Sequence, residues 1–348
     1  MRPRESGSIE RSGIHPASRA LRVWLALGVL AICALALALD QGSTRYSLAE
    51  VFQAVVSQAG PASQVVLQLR LPRALAAFAT GGLLALAGAL MQVLLRNPLA
   101  DPYVLGLSGG AAAGALGAML AGAGTALVNL GAFAGALFAM ALVFALARRE
   151  FAYRERAAAL DAAPKLLLIG VILASGWGAL ITSVLSLAPD AQLRGMIFWL
   201  VGDLNGVESY LAPLIALGVI VVLVCARSRE LNVLARGDMV AAALGVEVAG
   251  LRRLVYVCAS LATAFAVTTA GAIGFVGLVV PHALRLVIGN DQRVLLPACV
   301  LAGGALLVLA DTLARSALAP HQLPVGVLTA LIGVPAFLAL LLKGKGVR

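Results

Sequence analysis

Between Val23 and Leu342 the chain repeats one pattern about ten times, an apolar run followed by a short polar break. The hydrocarbon core of a bilayer is about 30 Å thick and a helix rises about 1.5 Å per residue, so a spanning helix takes roughly 20 mostly apolar residues. Runs such as Leu75–Leu95, Leu166–Leu187 and Val325–Leu342 meet that need. The pattern predicts an all-α membrane protein with spans at Val23–Leu39, Ala74–Leu95, Tyr103–Ala121, Ala126–Ala147 and Leu166–Leu187 in the first half. In the second half the spans are Tyr210–Ala226, Leu254–Gly271, Ile273–Ile288, Leu295–Asp311 and Val325–Leu342. The seventh and eighth are so closely joined, through Gly271–Gly274, that one broken helix is an open alternative.

Charged residues make up 12% of the chain, about half the share in soluble proteins, and the polar breaks are loop-length. One membrane domain, residues 23–342, is therefore expected between a cytoplasmic tail at 1–22 and another at 343–348. The first run follows a long basic lead and precedes many other spans, so it reads as an uncleaved helix rather than a signal peptide.

A net charge of +10 would suggest nucleic acid as a partner, but its placement argues against that. With the N-terminus in the cytoplasm and sides alternating at each span, 21 of the 26 basic residues fall inside. Only Arg45, Arg70, Arg73, Arg194 and Arg315 fall outside. This is the positive-inside bias, so both termini are expected in the cytoplasm and the partner of the charge is membrane lipid.

Three polar segments exceed simple connectors. Asp40–Arg73 and Ala188–Ser209 are external, the second carrying Arg194, Trp199 and Asp203. Arg227–Arg253 is cytoplasmic, and Leu231, Leu234, Val240 and Leu244 recur in it at helical spacing. Short amphipathic helices are expected there, lying in the interface or docking a soluble partner. Glycines spaced by four, at Gly106, Gly110 and Gly114 and at Gly131 and Gly135, are read as close helix contacts.

Signals of enzyme chemistry are weak. A Gly-x-Ser-x-Gly at Gly106–Gly110 lacks the strand that a nucleophile elbow requires, so Ser108 reads as a helix residue. The chain has no HExxH and no phosphate-binding loop, since Gly344-Lys345 lacks the upstream glycine and the hydroxyl. No cofactor is expected on this chain, and any ATP must sit on another polypeptide. The four cysteines lie one per apolar run and read as small buried side chains. An ion-coupled secondary transporter would keep a carboxylate near mid-membrane, whereas the acidic residues here lie near span ends. Asp311 and Arg315, four apart, are placed for a local ion pair. His282 follows Pro281 and reads as a packing residue.

Several longer motifs run in order: Leu69-Arg70-Leu71-Pro72-Arg73, Gly88-Ala89-Leu90-Met91-Gln92, and Arg96 to Pro102 with Leu105-Gly106. They continue with Leu231-Asn232 through Gly237-Asp238, Gly271 to His282 with Arg285, and Leu323-Pro324-Val325-Gly326. From Leu69 to Leu342 the chain resembles the permease subunits of bacterial ATP-binding-cassette importers for iron-siderophores, haem or cobalamin. The resemblance implies the type II importer fold, a homodimer of ten-helix subunits around a central pathway in the bacterial inner membrane. It also implies two copies of a cytoplasmic ATPase carrying ATP and Mg, and a periplasmic binding protein that delivers the cargo.

By the same resemblance Arg70, Arg73 and Arg315 would pair with glutamates of the binding protein, and Asn97 and Leu99 would narrow the cytoplasmic mouth. Gly237, Asp238, Ala241, Leu244 and Gly245 would seat in the ATPase. Where cobalamin permeases carry small hydroxyl residues this chain has Ala162, Ala163 and Pro164, which implies a more apolar mouth. Haem is accordingly the first reading of the cargo, with cobalamin or an iron-siderophore as the alternative. No iron ligand is nominated, although His282, Met91 and Met196 are the side chains to test.

Overall fold

Backbone groups in lipid have no water to bond, so each apolar run must close its hydrogen bonds within itself. All ten runs are helical in the computed structural model, which describes residues 16–42, 46–57, 61–148, 163–207, 209–318 and 321–344. The expected tail up to residue 15, Ala162 and the last four residues lie outside the described residues. In chain order the helices are α1 (Pro16–Asp40), α2 (Leu48–Ser57), α3 (Pro61–Gln64), α4 (Leu71–Leu94), α5 (Leu107–Leu120), α6 (Thr125–Leu146) and α7 (Ala163–Leu187). They continue as α8 (Asp190–Val201), α9 (Leu211–Ala226), α10 (Ser228–Leu234), α11 (Asp238–Ala243), α12 (Val248–Ala270), α13 (Val276–Ile288), α14 (Gln292–Ser316) and α15 (Val325–Gly344).

The spans are less uniform than the sequence suggests. Among the described residues six helices are long and apolar enough to cross a bilayer, and α9 with α10 forms a seventh, bent by 66°. Helices α5 and α13 are shorter, at 14 and 13 residues. The third expected span gives up its first residues to a 3₁₀ turn at Pro102–Leu105 and to Gly106, which is left-handed at φ 77°. The eighth yields its start to a break over Gly271–Phe275, where Phe275 also has positive φ. The seventh and eighth runs are thus two helices. Before α4 a π-turn at Val65–Arg70 makes the helix continuous from α3. Pro72 lacks the N–H that an α-ladder needs, and Leu71 N–H bonds back five residues to the Val66 carbonyl.

Helix α4 lies in the middle, buried along most of its length against α9, α12, α13 and α14. A helix that is apolar on every side needs such surroundings. Its neighbours come close because small residues meet. A Cβ on Gly88 would overlap the Gly277 carbonyl oxygen on α13, and one on Gly81 would overlap that of Gly303 on α14. The same holds between α5 and α6, where Gly110 faces Gly135 and Gly114 faces Gly131, as the spacing predicts. Gly106 is not part of that seam; it caps α5. At the edge of the bundle α7 is largely uncovered, leaving Leu168, Val171 and Ile172 exposed.

Gly88→Ala and Gly117→Ala form a matched pair, since a Cβ at Gly117 has no neighbour within 4 Å. Thermal unfolding in detergent is expected to show a loss on the order of 1–3 kcal/mol or more for Gly88→Ala. Gly117→Ala is expected to be neutral or slightly stabilising.

Candidate functional site

The functional side chains collect at the two ends of α4. Arg73 and Gln92 are separated by 19 positions along it, or about 28 Å.

At the Arg73 end the three expected docking arginines are gathered, and all three are largely buried against their own chain. Arg73 grips Asp311 of α14 with two parallel bonds, Nε to Oδ2 at 2.9 Å and Nη2 to Oδ1 at 2.8 Å, and Nη1 reaches Gln322 Oε1 at 3.3 Å. This fork geometry is the strong form of an arginine–carboxylate pair. The local Asp311–Arg315 contact expected from spacing exists but is looser, at 3.8 Å. Arg315 instead donates to the Ala38 carbonyl. Arg70 donates to the Leu39 and Asp40 carbonyls at 2.6 and 2.8 Å and lies over the Tyr46 ring. Two arginines therefore cap the C-terminal carbonyls of α1, where orphan acceptors and the helix dipole both favour a cation.

Asp203, on the loop after α8, lies near Arg73; burial pushes its carboxyl up and the arginine pulls it back. Its N–H donates to the Ala270 carbonyl at 2.9 Å, and Gly326 N–H donates to the Gly202 carbonyl at 3.1 Å. The break between α12 and α13 is thereby tied to α8 and α15. Trp199, Arg194 and Asp203, singled out in the polar segment at 188–209, all line one cavity of about 1360 Å³ with Phe133, Phe198 and Phe265. That segment is not a loop; α8 occupies most of it.

At the other end the expected amphipathic pair is present as α10 and α11. Leu231, Leu234 and Ala241 are buried, so Ala241 is part of the packing rather than the outer face. The outer face is Met239, Val240 and Leu244, with Met239 64% and Leu244 65% exposed. Met239 was not predicted as a site residue, although its place beside Val240 and Leu244 was readable. Arg252 of α12 pins Asp238 at 2.9 Å, while Gly237 and Gly245 turn the chain at positive φ. Asn97 closes a turn by accepting from Leu99 N–H at 2.9 Å, leaving Leu99 43% exposed beside the end of α4. Arg285 of α13 donates to Gln92 Oε1. Ser108 is the second residue of α5, and the described residues form no strand before it.

A bundle of apolar helices, cationic and self-paired at one end, with an exposed amphipathic pair at the other, has the build of a membrane permease subunit. The chain belongs to the FecCD transport family, whose profile matches residues 29–343. It is 40% identical to the vitamin B12 import system permease protein BtuC of Shigella boydii serotype 18, over 93% of this chain and 96% of that one. It is 39% identical to the BtuC protein of Escherichia coli O9:H4 over the same shares. Among solved structures, an inward-facing metal-chelate type ABC transporter matches at a TM-score of 0.81 and 30% identity, covering 93% of this chain and 99% of that one. PsaBC from Streptococcus pneumoniae matches in fold, with a TM-score of 0.53 at 16% identity over 84% and 95% of the two chains. The protein is a multi-pass transport subunit of an ABC importer for a metal chelate, not a catalytic chain.

In the loop after α4, Asp101 caps the 3₁₀ turn by accepting from Tyr103 N–H at 2.8 Å, and burial pushes its carboxyl up to about 6. An unfolded aspartate titrates near 3.9, so the fold holds the proton more tightly. The stabilisation from this group is complete below about pH 4 and is lost as pH rises through about 6. Asp101→Asn keeps an acceptor for Tyr103 without the charge. Melting curves from pH 5 to pH 7.5 are expected to show the variant gaining on the wild type as pH rises; parallel curves would contradict this.

Proposed function

We propose that this chain is one half of a homodimeric permease that carries a vitamin B12-type corrinoid from a periplasmic binding protein to the cytoplasm. ATP with Mg is hydrolysed by two copies of a separate cytoplasmic ATPase. The observation that carries the energy-coupling part is the exposed apolar face of Met239, Val240 and Leu244 on a short helix locked to α12 by Asp238 and Arg252. An apolar patch on a helix outside the bundle is suited to a groove in a soluble partner. The chain itself has no phosphate-binding loop to supply the energy.

The uncovered face of α7 fits a second copy of the chain, which under two-fold symmetry would enclose a pathway between identical walls. The basic bias supports a cytoplasmic position for α10 and α11. Asn97 and Leu99, beside the same end of α4, then narrow the inner mouth. ATP-driven closure of the ATPases would move α10 and α11 and shift the dimer between outward- and inward-open populations.

At the opposite end Arg70, Arg73 and Arg315 would meet acidic groups of the binding protein. Their burial sets the condition: such groups must compete with Asp311 and with the α1 carbonyls. Removing one partner of a buried pair costs about 3–5 kcal/mol, so docking that opened the Arg73–Asp311 grip would act directly on α4 and α14.

The corrinoid replaces haem as the first reading because relatives near 40% identity across 93% of the chain carry vitamin B12 in their names. Haem stays as the second reading on Ala162, Ala163 and Pro164, where a hydroxyl-lined mouth would be expected for cobalamin.

Uptake into vesicles holding the permease, its ATPase and its binding protein is expected for cobalamin, only with ATP, and not for haem. ATP-independent uptake would overturn the coupling, and haem uptake alone would overturn the cargo. Leu244→Asp is expected to weaken ATPase binding about tenfold or more, the effect of about 1.4 kcal/mol, with the melting temperature of the permease unchanged.

A further inference from the structure

A second cavity, of about 770 Å³, opens where α4 ends, between α10, α13 and the start of α14. Five guanidinium groups line it: Arg96, Arg229, Arg236, Arg285 and Arg293. The one carboxylate among its lining residues is Asp291, and that group is already engaged. It accepts from Asn232 Nδ2 at 2.8 Å and from the backbone N–H of Arg293 at 3.0 Å, and it pairs with the Arg293 guanidinium at 3.2 Å. Arg229, Arg236 and Arg285 therefore have no carboxylate of their own among the residues that line the cavity.

The floor is built. Gln92 is 4% exposed and holds Arg285 through its Oε1, while Arg285 also reaches the Ala89 carbonyl, so this cation is drawn about one turn inside the end of α4. Gln292, which lines the cavity, is 1% exposed; its Nε2 donates to the Asn290 carbonyl at 3.2 Å, and its Oε1 is buried without a partner. Donors for an anion thus stand beside one buried acceptor that lacks a hydroxyl or ammonium. Leu286 and Val287, which follow Arg285 on α13, are exposed apolar residues outside the cavity lining. Met239, Val240 and Leu244 do not line the cavity, although Arg229 and Arg236 place it beside the α10–α11 surface assigned to the ATPase.

We propose that this cavity binds the headgroup of a net-anionic, hydroxyl-bearing phospholipid of the phosphatidylglycerol class. The arginines take the phosphate, and the Gln292 Oε1 accepts from a headgroup hydroxyl. Arginine suits this role because its planar donors match phosphate oxygens two at a time. Basic pockets between spanning helices on the cytoplasmic side are natural sites for acidic lipid. A zwitterionic headgroup would bring its own cation into a cavity that already has an excess of them. Naming the cytoplasmic leaflet rests on the orientation proposed above; the binding chemistry does not.

The test is native mass spectrometry of the intact permease in detergent with phosphatidylglycerol, phosphatidylcholine or millimolar inorganic phosphate, alone and with its ATPase. The wild type is expected to retain phosphatidylglycerol over phosphatidylcholine, and each arginine removed is expected to lower that preference about fivefold. Arg285→Gln probes the floor. Should it fail to fold, Arg229→Gln with Arg293→Gln probes the rim, and Arg253→Gln, an exposed cation outside the cavity, serves as the unchanged control. Equal retention of the two lipids, or loss of preference in Arg253→Gln alone, would overturn the proposal. So would displacement of the lipid by inorganic phosphate, which would make the site one for a free anion, or by the ATPase, which would make it part of that interface. None of these readouts depends on transport, so a failure here leaves the cargo assignment standing.

Discussion

Close backbone approach around α4 is the constraint on which the rest depends. In lipid, helices gain little from hiding apolar side chains from one another, because the hydrocarbon is as apolar as they are. What holds α4 to its neighbours is contact at distances that a methyl group would prevent, at Gly88 against Gly277 and Gly81 against Gly303. These contacts bring α13 and α14 against α4 at fixed heights. The pairs at either end, Arg73–Asp311 and Arg285–Gln92, can then close. Loosening the middle would unmake both ends together.

The same geometry gives the two ends different characters. At the Arg73 end the cations are consumed internally, by a carboxylate and by the free carbonyls of α1. At the Gln92 end several cations face a cavity with one occupied carboxylate. Between them lies the break at Gly271–Phe275, tied to α8 and α15 through Asp203 and Gly202, and to the turn before α5 through Tyr103 and Ile273. A joint bonded on several sides, with Phe275 held at positive φ, is a natural place for motion at one end of the bundle to reach the other.

Much of the fold was legible because lipid leaves few alternatives. Span positions follow from length and polarity, and the α5–α6 seam from glycines four apart. The α10–α11 pair follows from apolar spacing in a polar segment. Ordered motifs from Leu69 to Leu342 were enough to mark the resemblance to importer permeases. Less was legible at the site. Arg73 and Asp311 are 238 positions apart, so nothing local marks them as partners; spacing pointed to Arg315, which is nearer in sequence but looser in contact. Ala241 could be placed on a helix, but which side faced inward depended on α12 and its Arg252.

By itself the sequence determined that this chain crosses a membrane many times and that its apolar runs are helical. Each of those rests on the local solvation of a run of residues, and a bilayer imposes that run by run. The tertiary structure decided which cations are spent on internal acceptors and which line a cavity, where spans are cut short, and which face of α11 looks outward. Those outcomes depend on groups distant in sequence meeting within about 3 Å, and only the packed bundle sets such distances.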